Sequence, residues 1–194
     1  MRRRGLIRFA PLLAVVALAV APAVAQAEPH WYLGSSPLKE GKKMAVKTEG
    51  KLLFSIPGTT ILVSCTVKDV EVLLNPSGCG AGTDSMKAFK LSGCGPNPCP
   101  VNSAGVQGAL KITALKLPWA SRLVEIPPIA DEISGIELVF SCKKTGVLTT
   151  VSGTLFPWVN LGFLEFTTAT GTLSGMTVTG IDNFSPPGIN AKNP

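Results

Sequence analysis

Carboxylic acids are the residues of this chain best suited to acid–base chemistry. The candidates are Asp69, Glu71, Asp84, Asp131 and Glu132. A glycosidase uses two such groups that face each other across a cleft, so a small extracellular carboxylate-dependent hydrolase is the alternative function for this chain. Most domains of this size carry similar sets, however. We expect Asp131 and Glu132 to be solvated in a turn and the Asp84 side chain to stabilise a glycine-rich turn, and we assign no catalytic residue.

The sequence lacks the other common catalytic and metal-binding patterns. A site of the Ser-His-Asp or Cys-His type would have to use the one histidine, His30, close to the start of the domain. There is no Gly-x-Ser-x-Gly, His-Glu-x-x-His or phosphate-binding glycine loop. Zinc is disfavoured because no Cys-x-x-Cys pair exists, and calcium needs more oxygen ligands than Asp84 supplies. The sequence therefore predicts no metal and no cofactor, and it favours a non-enzymatic protein.

Five cysteines predict disulfide bonds if the chain is exported. Cys65 and Cys142 each lie on the apolar face of an alternating segment, which predicts a bond between them across the core. Cys94 and Cys99 flank a turn-forming loop and are expected to pair with each other, which leaves Cys79 as a free thiol. The main competing arrangement pairs Cys79 with Cys94 or Cys99.

Aromatic residues next to prolines suggest a possible binding surface. Trp119 follows Pro118, Trp158 follows Pro157, and Trp31-Tyr32 lies near the expected start of the mature chain. Exposed aromatic rings offer a large contact area at a small cost in rotamer entropy. Tryptophan beside proline at a strand end more often closes a core, so we treat Trp31, Tyr32, Trp119 and Trp158 as speculative ligand contacts.

Short alternating segments indicate the elements that must position these side chains. The clearest run over 61–67 and 136–142, where every second residue is apolar, as a half-buried strand requires. In the first segment the apolar phase changes after Val67, which predicts a bulge near Lys68-Asp69. Weaker strands are predicted at 52–56, 86–91, 110–117, 147–155, 163–173 and 176–181. A short helical turn after Pro118 is the one helical signal.

These segments predict an all-β fold, an antiparallel sandwich or a partly open barrel stapled by disulfides. We expect a single domain over residues 28–182, with 28–48 as a peripheral arm and 183–194 as a flexible tail. The segment 149–155 is echoed by 167–173, which is typical of neighbouring strands.

The first 27 residues have the pattern of a secretory signal peptide. Four arginines among the first eight residues precede an apolar run over 9–20, and Ala25-Gln26-Ala27 supplies the small residues before the cleavage site. The run is too short to span a bilayer, so we predict cleavage after Ala27 and no membrane span afterwards. The mature chain then carries 14 basic and 12 acidic residues. Its scattered lysines do not indicate nucleic-acid binding.

Several short motifs resemble a group of small secreted proteins of actinobacteria that have no assigned activity. They are His30-Trp31-Tyr32, Asn75-Pro76, the segment 80–84, Cys99-Pro100 and Leu117-Pro118-Trp119, with Cys142. The resemblance covers most of the mature chain and implies a Gram-positive exporter. It also implies four recurring cysteines, at positions 65, 94, 99 and 142, with Cys79 as the departure.

Taken together, the sequence predicts a secreted or cell-surface protein with a non-enzymatic binding or structural role. Its expected partner is an extracellular ligand or a component of the cell envelope, which the residues do not identify.

Overall fold

A computed structural model describes residues 27–56, 60–143, 146–166 and 171–194. All the regular elements in these ranges are strands, and they are antiparallel, which confirms the all-β prediction. The strands are β1 (His30–Leu33), β2 (Ser36–Pro37), β3 (Lys43–Ser55), β4 (Leu62–Leu74), β5 (Thr83–Gly95), β6 (Leu110–Leu115), β7 (Trp119–Val124), β8 (Ala130–Cys142), β9 (Gly146–Leu155), β10 (Trp158–Asn160), β11 (Phe163–Phe166), β12 (Gly171–Leu173), β13 (Val178–Ser185) and β14 (Ile189–Lys192). The predicted signal peptide lies outside the described residues, apart from Ala27. No described helix is long and apolar enough to cross a membrane.

Eight of the strands form a closed barrel. Their order is β10-β11-β13-β3-β4-β5-β7-β8, and the pairing of Trp158 on β10 with Ala130 on β8 closes the circle. Strand β8 also pairs with β6 on one edge and with β9 on the other. Strand β12 pairs with the end of β9, so the described part of the second threonine-rich copy, residues 171–173, lies beside residues 153–155 of the first.

Period-two alternation explains why these segments bury one face. In β4, the inward row of Val63, Cys65 and Val67 is completely buried, and in β8 the row of Leu138, Phe140 and Cys142 is nearly so. Both rows contribute to one hydrophobic core. In this core Phe54 on β3 packs edge-on against Phe140 of β8, with ring centroids 5.9 Å apart. Both strong sequence predictions of strand are therefore confirmed.

The predicted change of phase near Lys68-Asp69 is wrong. Strand β4 alternates without interruption, and its inward row continues through Asp69 and Glu71 to Leu73. The extra residues lie on the partner strand β5, where the register shifts opposite Ser64–Thr66 and Val70–Glu71.

The two ends of the domain are also more ordered than predicted. Residues expected to form an arm build β1, β2 and the start of β3, and residues expected to fray build the end of β13 and β14. Strands β14, β1 and β2 form a small separate sheet. Its Trp31 is fully buried, and the Trp31 amide donates to the Asn75 Oδ1 at 2.7 Å while the Asn75 amide group donates back to the Trp31 carbonyl at 2.9 Å.

Both predicted disulfide pairs are wrong, although the four bonded cysteines and the free Cys79 are as expected. Cys65 bonds Cys94, its neighbour across β4 and β5, with Cα atoms 4.1 Å apart. Cys99 bonds Cys142 with Cα atoms 5.6 Å apart. Cys65 and Cys142 do share the inward face, but a shared face does not bring two side chains together. The two cysteines of the 94–99 loop instead fasten it to two different strands.

The helical turn predicted after Pro118 is also wrong, because residues 119–124 form β7. Its side chains alternate between buried and exposed, with Trp119, Ser121 and Leu123 inward. Strands β6 and β7 follow one another along the same edge of β8, separated by a bend in which Lys116 has a φ of 58°.

Candidate functional site

A row of polar side chains crosses the interior of the barrel. Each member occupies an inward position of its strand and is at most 7 % exposed. The row comprises Asp182 on β13, Thr48 on β3, Asp69 and Glu71 on β4, Asp84 on β5, Ser121 on β7 and Asp131 on β8. Five carboxyl groups are therefore buried together inside the barrel.

One half of this carboxyl cluster is organised around Thr48. Thr48 lies opposite Asp69 in the register of β3 and β4, and its hydroxyl group contacts the Asp69 Oδ1. The same hydroxyl group lies 2.7 Å from the Asp182 Oδ2. A threonine hydroxyl has one proton to donate. Both contacts are hydrogen bonds only if one of the two carboxyl groups is protonated and donates to the threonine oxygen.

The other half joins Glu71, Asp84 and Asp131 around Ser121. The Ser121 hydroxyl group donates to the Asp131 Oδ1, and Asp84 lies directly opposite Ser121 on the neighbouring strand. Glu71 is completely buried, and among the described residues neither its carboxyl oxygens nor those of Asp84 have a hydrogen-bond partner of good geometry.

Burial favours the neutral form of every carboxyl group in the cluster. Desolvation, followed by the nearby Asp69 and Asp84 charges, raises the pKa of Glu71 well above its usual value. Desolvation also raises the pKa of Asp131 well above normal, with Asp84 adding to the effect. The pKa of Asp84 is raised to about 7 and that of Asp182 to about 9, in both cases chiefly by burial.

Among the described residues, no Lys, Arg or His side chain forms an ion pair with the carboxyl cluster. The ion pairs among the described residues are Lys68–Glu49, Lys116–Glu137 and Arg122–Glu132, and none includes a member of the cluster. Within the described ranges, no group of three or more His, Cys, Asp or Glu side chains has the geometry of a metal site. The pKa of Asp69 is raised as well, mainly by burial.

The structure brings together four of the five acidic candidates, but in an unexpected environment. Asp131 was predicted in a solvated turn and Asp84 in a turn, and both predictions are wrong, because both side chains are buried on strands. Only Glu132 points outward, where it accepts from the Arg122 Nε at 2.6 Å. A glycosidase pair must reach a substrate across an open cleft, and the clustered carboxyl groups are at most 6 % exposed.

An open cleft lies between β6 and the part of β5 beyond Met86, where β5 no longer pairs with β7. Strand β5 pairs with β7 only over Thr83–Met86, while β6 pairs with residues 137–142 of β8. The cleft between the separated edges has a volume of about 590 Å³. Its lining residues are 89–94, Asn97 and 109–114.

Both disulfides stand at the borders of this β5–β6 cleft. Cys94 belongs to its lining and is bonded to β4 through Cys65. On the opposite side, Cys142 lies directly opposite Leu110 of β6 and is bonded to Cys99 in the loop that joins β5 to β6. The Asn97 amide group donates to the Gly108 carbonyl at 2.6 Å across the same loop. The two disulfides thus anchor one side of the cleft to β4 and the loop that joins β5 to β6 to β8.

None of the four aromatic candidates belongs to the cleft lining. Trp31 and Trp119 are at most 2 % exposed and Tyr32 is buried as well, while Trp158 is half-buried on β10. The Trp119 indole donates to the Leu115 carbonyl at 2.8 Å, and its ring lies 5.2 Å from that of Phe89. The free thiol of Cys79 is exposed.

No family model, curated protein or solved structure matches this chain. The resemblance to secreted actinobacterial proteins stays a prediction. The function must therefore be argued from the carboxyl cluster and the β5–β6 cleft themselves.

Proposed function

We propose that this protein is exported and acts as a non-enzymatic binding protein, with the β5–β6 cleft as its ligand site. The observation that carries the proposal is a cleft of about 590 Å³ bordered by two unpaired strand edges and held between two disulfides. Binding sites are typically concave, largely preformed and lined by apolar groups with a few polar ones. The signal-peptide pattern and the two disulfides favour an extracellular location.

The carboxyl cluster is not part of the cleft lining. It supports the proposal because it belongs to the barrel that carries the cleft. Its groups are buried inside the barrel, and burial favours their neutral forms. We assign the cluster a structural role, in which shared protons hold neighbouring strands together.

Site-specific photocrosslinking in the producing cells tests the ligand site. A benzophenone amino acid at Thr113, which lines the cleft, is expected to give a discrete adduct on the exported protein. The control places the same group at Leu161, a 69 % exposed residue outside the cleft lining. Adducts that are absent at Thr113, or identical at both positions, would contradict the proposal.

Export is tested separately by analysis of the culture medium. Mass spectrometry of the secreted protein is expected to show a chain that begins at Glu28 and contains both disulfides. Protein retained inside the cell with Met1 and reduced cysteines would overturn the extracellular part of the proposal.

A further inference from the structure

The β5–β6 cleft is framed by backbone that has no strand partner. From Lys87 to Gly95, β5 pairs with β4 along one edge, and no described strand pairs with its other edge. Strand β6 likewise pairs with β8 on one edge only. Alternate residues of each strand direct N–H and C=O groups toward such an edge. The two edges therefore present unused donors and acceptors to the same space, from opposite sides.

The floor of the cleft is apolar. Phe89 and Leu91 of β5 and Ile112 and Ala114 of β6 are half-buried and pack against the main core. Because side chains of a strand alternate between faces, a strand lying between β5 and β6 would direct every second side chain onto this floor and the others toward solvent.

The solvent side of the cleft is basic. Lys90 of β5 and Lys111 of β6 are exposed and line the cleft, and among the described residues neither forms an ion pair. No aspartate or glutamate is part of the lining. Opposite charges across an interface favour the matching partner and accelerate its encounter. The outward side chains of a matching segment would therefore be carboxylates.

We propose that the β5–β6 cleft binds an extended polypeptide segment by strand addition, and that this segment alternates apolar residues with acidic ones. The inference rests on the proposed function, since it specifies the ligand of the same cleft. An added strand satisfies the backbone groups of the edge on which it lies. A lipid chain would cover the apolar floor but leave these groups without partners. Since β6 has six residues, a segment of about six residues, roughly 20 Å long, matches the cleft.

A designed peptide tests the proposal directly. The probe is acetyl-Val-Glu-Val-Glu-Val-Glu-Val-amide, compared with a lysine-for-glutamate version and a version N-methylated at alternate backbone amides. Titration of the mature, oxidised protein is expected to give a micromolar Kd for the acidic probe. N-methylation removes backbone donors and is expected to weaken binding at least tenfold, and the lysine version is expected to bind at least tenfold more weakly.

Protein variants separate the cleft from the general charge of the surface. The double variant Lys90→Glu and Lys111→Glu is expected to weaken the acidic probe at least tenfold and to strengthen the lysine version. The double variant Lys43→Glu and Lys51→Glu changes the net charge equally on the outward side of β3, and it is expected to alter both Kd values less than twofold. Amide hydrogen exchange of the complex is expected to show added protection confined to β5 beyond Met86 and to β6.

Several outcomes would overturn strand addition. They are the absence of peptide binding at 1 mM, binding that is insensitive to N-methylation, and added amide protection elsewhere. Concentration-dependent dimerisation lost in the Lys90/Lys111 variant would instead assign the cleft to a second copy of this chain. If photocrosslinking at Thr113 succeeds while the peptides do not bind, the strand inference fails and the proposed function stands.

Discussion

The carboxyl groups of Asp69 and Asp182 meet at one hydroxyl group, that of Thr48. The two acids approach it from strands on opposite sides of β3, and the hydroxyl can donate to only one of them. The folded barrel therefore holds a proton that the unfolded chain would release at neutral pH. Neutral acids inside a closed barrel give the protein an unusual dependence on pH.

We predict that this protein is more stable in mild acid than at neutral or basic pH. The folded state binds more protons, because burial raises the pKa of Asp84 to about 7 and of Asp182 to about 9. Its stability is therefore greatest below the unfolded carboxyl pKa of about 4 and is lost as the pH rises through the folded values. One kcal/mol shifts the midpoint of a domain of this size by about 2–4 °C.

Thermal unfolding at constant ionic strength measures this dependence. We expect the Tm of the oxidised protein to be roughly 10 °C or more higher at pH 4.5 than at pH 8, because several carboxyl groups contribute. A Tm that is constant between these pH values, or higher at pH 8, would contradict the protonated cluster.

Glu71→Gln is predicted to stabilise the protein selectively at high pH. Glu71 is completely buried among four other acids, and burial followed by the Asp69 charge raises its pKa. The amide has nearly the same shape but cannot ionise, so it removes a cost that exists only when the carboxyl group would lose its proton. Urea unfolding is expected to show a gain of about 1–3 kcal/mol at pH 8 and little change at pH 4.5.

Glu49→Gln is the matched control for this change. Glu49 lies on the outward face of β3 and pairs with Lys68 at 2.9 Å, and both side chains are largely exposed. Its replacement is expected to change stability by less than about 0.5 kcal/mol at either pH. An equal effect of Glu71→Gln at both pH values would show that packing, rather than protonation, determines the outcome.

Removal of either disulfide is predicted to destabilise the protein by a similar amount. The bonded cysteines are separated by 29 and 43 residues, which corresponds to roughly 3.5–4 kcal/mol each in the chain-entropy model. Paired alanine substitutions at Cys65 with Cys94, and at Cys99 with Cys142, measure this loss, and Cys79→Ser is expected to cost less than about 0.5 kcal/mol. Non-reducing peptide maps that link Cys65 to Cys142 would refute the observed pairing.

Period-two alternation predicted the strands from the sequence because it depends on only a few neighbouring residues. It also carried the information about the cluster. Continued past Val67, the inward row of β4 places Asp69 and Glu71 in the core, but the apolar Val70 and Val72 suggested a change of face. Both valines are in fact half-buried on the outer face.

The pairing of the cysteines and the β5–β6 cleft lay beyond this kind of reasoning. Both depend on which strands are neighbours, and that is decided by contacts between residues far apart in sequence. A register shift in β5 places Cys94 beside Cys65, and a bend at Lys116 separates β6 from β7. Neither feature changes the periodicity of the sequence. Strand alternation thus predicted the fold class but not the β5–β6 cleft.

Gly50→Ala is predicted to disrupt the half of the cluster that contains Asp182. Gly50 lies opposite Asp182 in register, and a Cβ atom at this glycine would lie 1.9 Å from the Ile181 carbonyl oxygen and 2.6 Å from the Asp182 Cα. Because these atoms belong to the backbone, β13 must move away from β3, and Asp182 then loses its contact with Thr48. We expect the free energy of unfolding, measured with urea at pH 4.5, to fall by about 3 kcal/mol or more. A carboxyl ¹³C titration is expected to show the pKa of Asp182 moving toward its normal value.

Gly95→Ala is the control, since its Cβ would have no neighbour within 4 Å, and it should change stability by less than about 1 kcal/mol. A Gly50→Ala protein with unchanged stability and an unchanged Asp182 titration would show that close contact between β3 and β13 does not maintain the cluster.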